Sequence, residues 1–155
     1  MADRIIKIGV KEIKCMDCSF SVKDYTFGSF GGYGRFLGRT SKDEIAEFFA
    51  INDPVFKEVS KLVDSILPEE SRKRIGCLHT VLESACDPAP SGERYQFLGK
   101  KGCSKCGSKN VKHNRLDPPI EKIYLPFVTH SEWDNLSQEE KQQRITKQLG
   151  LIGCL

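Results

Sequence analysis

Two Cys-x-x-Cys pairs constrain this chain more than any other feature. Cys15 and Cys18 stand near its start and Cys103 and Cys106 lie far downstream, with 84 residues between Cys18 and Cys103. Zinc takes four ligands at the corners of a tetrahedron, and thiolates suit it. One CxxC turn offers two sulfurs to a single point, and a second turn completes a closed site. Cys15, Cys18, Cys103 and Cys106 are therefore expected to hold a structural Zn2+, with no open position for a catalytic water. Compact zinc modules leave only about 12 to 20 residues between their pairs. The excess here is read as an insertion, because lengthening a loop costs little entropy.

The hydrophobic pattern fits that reading. Ile6, Ile8 and Val10 alternate as one face of a strand before Cys15, and Phe20 and Val22 alternate after Cys18. Strand, CxxC, strand describes a hairpin with two thiols at its tip. The same order recurs downstream: "RYQFLG", then Cys103 and Cys106, then "NVKHN". Residues 120–128, "IEKIYLPFV", suggest one more strand, interrupted by Pro126. Between these parts the pattern turns helical. Ser41 with Glu44 makes a capping box before Ile45, Phe48 and Phe49. Asp53-Pro54 restarts a helix whose face carries Val55, Val59, Leu62, Val63 and Ile66. A third helix is expected from Glu69 to Cys86, ended by the breaker run "DPAPSG". Ser137 with Glu140 opens a last helix through Leu149, stopped by Gly150, with Trp133 and Leu136 packing just before it.

Several function classes find no support. The chain of 155 residues is 39% hydrophobic and 29% charged, enough for a buried core and unlike a disordered chain. Its start is charged throughout, and no run reaches the roughly 18 apolar residues of a membrane span, so a cytoplasmic protein is expected. The glycine-rich stretch 28–38, "GSFGGYGRFLG", lacks both the GxxxxGK[ST] and the GxGxxG patterns and is read as a loop. His79, His113 and His130 stand without a nucleophile motif. Seven cysteines in a reducing compartment are read as ligands or thiols and not as disulfides. Cys77, Cys86 and Cys154 are assigned no role, and neither CxxC opens a helix as a thioredoxin-like redox pair would.

The two knuckles resemble those of zinc-ribbon proteins. "CSKCGS" matches the common CxxCG knuckle, while "CMDCSF" has serine where glycine is frequent. The resemblance covers some forty residues and implies a structural metal, not a particular function. Zinc ribbons often present such hairpins to nucleic acid, with lysines on phosphates and an aromatic ring on a base. Between Lys100 and Arg115 stand six cations and no carboxylate. Some of them offset the two formal negative charges of a four-thiolate zinc. Lys105, Lys109, Lys112 and Arg115 are the candidate contacts, with Phe30, Tyr33 or Phe36 of the glycine-rich loop as stacking partner.

The expectation is thus a single α+β domain, residues 1–155. Residues 1–38 and 93–128 form a zinc-ribbon-like β part, 41–86 a helical insertion and 131–150 a C-terminal helix. The chain is read as a non-enzymatic binding protein, first for nucleic acid. The alternative partner is a protein, as for an adaptor or a stoichiometric inhibitor such as a toxin-neutralising immunity protein.

Overall fold

The computed structural model describes residues 4–27, 34–72, 75–97 and 102–154. In chain order the elements are β1 (Ile5–Cys15), β2 (Ser21–Thr26), β3 (Arg35–Arg39), β4 (Ile45–Phe49), α1 (Pro54–Ile66), α2 (Glu69–Arg72), α3 (Ile75–Glu83), β5 (Val111–Tyr124), α4 (Ser131–Asp134) and α5 (Gln138–Leu151). The fold is α+β, with two antiparallel sheets, β2-β1-β5 and β3-β4. The chain divides into two compact units, one from residues 1–33 and 99–126, the other from 34–98 and 127–155.

The first unit is the three-stranded sheet. β1 is central and pairs with β2 from Gly9–Thr26 to Lys14–Ser21, as the hairpin reading expects. β5 corrects that reading. The outgoing strand "NVKHN" and the strand beginning at Ile120 are one strand, and it pairs with β1, not with the segment before Cys103. The register shifts once, where residues 116–119 of β5 face the single residue Val10. That stretch holds Pro118 and Pro119, which cannot donate to a ladder, and β5 is an edge strand where this is tolerated. Beyond its cysteines, the buried apolar residues described in this unit are Ile8, Val10, Ile13, Phe27 and Leu125. A core this small in some sixty residues rarely suffices without a staple.

The second unit carries the larger core. Ser41 and Glu44 do not cap a helix there: residues 35–49 form the β3–β4 hairpin, which corrects the helical reading of Ile45, Phe48 and Phe49. The reason lies in the partners of those side chains. Ser41 bonds the Glu93 carboxylate, and Glu44 takes the Thr40 hydroxyl and the Ser91 amide, with Asp43 left-handed at the turn (φ 61°). Glu47 is buried in β4, and Arg35 of β3 holds it by two bonds of 2.6 and 2.8 Å. The described part of "RYQFLG", residues 94–97, is no strand beyond one bridge, Gln96 to Arg39. It crosses β3 at Gly38, where an added Cβ would lie 2.9 Å from Tyr95. Residues 34–38 and 93–97, grouped in sequence with the cysteine-bearing strands, thus belong with β4 and the helices.

α1 forms as expected. Asp53 caps it by accepting the Val55 amide, and Val55, Val59 and Val63 bury one face. Within the span of the expected third helix lie α2 and α3, the latter ending at Glu83. α5 opens with the Ser137–Glu140 capping box, runs through Gly150 to Leu151, and buries Ile145 and Leu149. Trp133 is fully buried. Burying side chains of this kind contributes about 1.5–3 kcal/mol each, so these helices carry much of the unit's stability. A disulfide joins Cys77 of α3 to Cys154 beyond α5, correcting the reading of both as thiols. Gly153 turns left-handed (φ 76°), and the Cys154 amide folds back onto the Leu149 carbonyl.

Candidate metal centre

Cys15 ends β1, and Cys103 begins the loop that leads into β5. The two loops repeat one bonding pattern. The Cys15 amide donates to the Phe20 carbonyl at 2.8 Å, and the Ser19 amide to Cys15 at 3.1 Å. The Cys103 amide donates to Ser108 at 2.8 Å, and the Gly107 amide to Cys103 at 2.9 Å. Both loops need a left-handed residue after the second cysteine, supplied by Ser19 (φ 64°) and Gly107 (φ 75°). Serine thus takes the backbone conformation that glycine usually provides.

The strands place the two loops face to face. The Met16 amide donates to the Asn110 carbonyl at 2.9 Å, and the Asp17 carboxylate accepts from the Ser108 hydroxyl and the Asn110 amide group. Those two bonds, Ser108 first, hold Asp17 below the usual carboxylate range. Between the loops all four sulfurs lie within 4.8 Å of one another, so they could hold a metal ion. Cys15 and Cys106 approach to 3.5 Å, Cys18 and Cys103 to 3.6 Å. Amide groups point at the sulfurs: Cys18 at Cys15 Sγ (3.4 Å), and Lys105 and Cys106 at Cys103 Sγ (3.4 and 3.5 Å). The Cys106 and Lys105 amides bring the Cys103 thiol down to about 6. Cys106 receives the Ser108 amide, yet its bond to Cys15 and the neighbouring sulfurs push it up to about 12.

Around this centre the sheet carries opposed cations. Across the β1–β5 ladder, Lys7 faces Lys122, Lys11 faces Arg115 and Lys14 faces Lys112. Like charges placed directly opposite destabilise a sheet. Lys11 is offset on its other side by Asp24 of β2. Exposed Tyr124 pairs with Ile5, two positions from the Lys7–Lys122 pair and on the same face. By sequence the first unit holds twelve lysines and arginines against six carboxylates, the second twelve against fifteen. The overall charge of +3 conceals that separation.

Of the candidate contacts, Lys112 and Arg115 lie in this ladder, and Lys109 is exposed just before it. Lys105 reaches over the Phe20 ring of the other loop, 6.0 Å from its centroid. Phe30 and Tyr33 lie outside the described residues. Phe36 packs in the second unit, among Phe48, Phe56, His79 and Phe97. Lys7, Lys11, Lys14, Lys122 and Tyr124 escaped the sequence reading. The lysines of "IIKIGVKEIK" were legible as one strand, but their partners follow only from the pairing of β5.

The His130 side chain is largely buried. Its Nδ1 lies 2.7 Å from the Ala85 carbonyl and its Nε2 2.5 Å from the Asp53 carboxylate. Burial disfavours its charge, but Asp53 and the Ala85 carbonyl overcome this and hold its pKa above the ordinary histidine value. Among the described residues no helix is long and apolar enough to cross a membrane. No protein-family model, curated protein or solved structure matches the chain.

Proposed function

We propose that the chain is a zinc-stabilised, non-enzymatic protein that binds nucleic acid through the cationic face of its three-stranded sheet. The observation that carries this reading is the two opposed cation pairs Lys7–Lys122 and Lys11–Arg115, which share one face of β1, whereas Lys14–Lys112 lies on the other. Each pair costs the free sheet stability, and a polyanion laid along it would relieve that repulsion. Tyr124, exposed beside the first pair, offers a ring for a base. Zinc is supported by the donor set. Four thiolates at about 2.3 Å from a tetrahedral ion stand about 3.8 Å apart, close to the sulfur spacings of 3.5 and 3.6 Å. A closed four-thiolate site leaves no position for water, and both nitrogens of His130 are engaged, which favours binding over catalysis.

Fluorescence anisotropy with a labelled single-stranded oligonucleotide tests the interface. Lys122→Glu is expected to weaken binding about tenfold at low salt, as loss of a phosphate contact requires. Lys57→Glu, on α1 of the other unit, should leave it unchanged. Equal affinity for the parent and the Lys122→Glu chain, or no binding by the parent, overturns the reading.

A further inference from the structure

The second unit contains a cavity of about 550 Å³ that is lined by none of the four cysteines and by no residue of the three-stranded sheet. Arg94 and Arg144 form part of its wall, and both donate to one carboxylate oxygen of Glu132, at 3.0 and 2.8 Å. Glu132 is not itself a wall residue, so it fixes the guanidinium groups from outside the cavity. Arg94 is fixed again by the Cys86 carbonyl at 2.6 Å. Lys147 stands three residues beyond Arg144 on α5 and joins the same wall. Two carboxylates also line the cavity, and each has a partner within the chain. Glu140 accepts the Ser137 amide of the helix cap, and Glu83 accepts the Phe97 amide. Burial favours the neutral form of Glu83. The wall therefore presents three cations, two of them sharing the Glu132 carboxylate, against one carboxylate, Glu140, that the Ser137 amide and nearby Arg144 hold in its charged form. Leu136 and Leu151 add apolar surface.

We propose that this cavity binds a small organic anion with a phosphate or carboxylate head and a short apolar chain. Planar guanidinium groups fixed in advance suit such a head, because little side-chain freedom is lost on binding. The volume falls within the range of small-molecule sites.

Titration calorimetry of the full chain tests this with hexyl phosphate, hexanoate and inorganic phosphate as probes. Saturable binding of hexyl phosphate or hexanoate is expected, tighter than that of inorganic phosphate, and the better of the two identifies the head group. Lys147→Gln and Arg144→Gln should each weaken it about tenfold. Lys147 makes no ion pair among the described residues, so its variant reports binding without disturbing Glu132. Lys112→Gln, in the other unit, should leave affinity unchanged. No saturable binding in the millimolar range overturns the proposal. So does binding that survives Lys147→Gln but falls with Lys112→Gln, which would place the anion on the sheet.

Discussion

Single residues decide how the cysteine loops close. An added Cβ at Gly107 would meet nothing within 4 Å, so its φ of 75° is the only obstacle to a side chain there. Gly107→Ala is expected to cost about 1 kcal/mol in denaturant unfolding of the metal-loaded chain. The CxxCG spelling made that position legible, and Ser19 shows that the loop geometry persists without the glycine. His130 was legible only as a histidine without a nucleophile motif. Its partners lie 45 and 77 residues away, a distance that no local pattern spans. Its folded pKa is raised, so its contribution is fully present below the unfolded value of about 6.5 and is lost as pH rises through the folded value. Trp133 is the sole tryptophan and lies in this unit's core, so its fluorescence reports the transition. The melting temperature read there should fall as pH rises above about 6.5, and His130→Gln should remove that component of the pH dependence.

At the scale of elements, capping signals were read well where the side chains had no better partner. Asp53 and the Ser137–Glu140 box open α1 and α5 as their sequences indicate. Ser41 and Glu44 spell the same box, but the Ser41 hydroxyl donates to Glu93 and the Glu44 carboxylate accepts the Ser91 amide, and a hairpin forms. Tertiary bonding overrode a local signal. The alternation of β1 was legible, while its pairing with β5 was not, since the register depends on contacts about a hundred residues apart. That pairing creates the opposed cations and sets a test of opposite signs. Lys122→Glu, which weakens nucleic-acid binding, should raise the sheet's unfolding midpoint at low salt by giving Lys7 an opposite charge. The gain should vanish at high salt, where surface charges are screened.

For the whole molecule, the cysteine spacing indicated that distant parts of the chain meet at one centre, and four clustered sulfurs agree. The spacing did not reveal that most of the intervening residues join 127–155 in a unit with its own core, nor that the charges separate between units. Because that core contains none of the four cysteines, chelation should affect the units unequally. Amide exchange in β1 and β5 is expected to quicken sharply after metal removal, while Trp133 fluorescence stays native. The central claim, a polyanion bound along four opposed cations on one face, is tested most directly by the salt dependence of oligonucleotide affinity in the metal-loaded chain. A plot of log affinity against log salt should fall with a slope approaching about −3, as four phosphate contacts on a single strand require. A flat line, or no measurable binding at low salt, would contradict it.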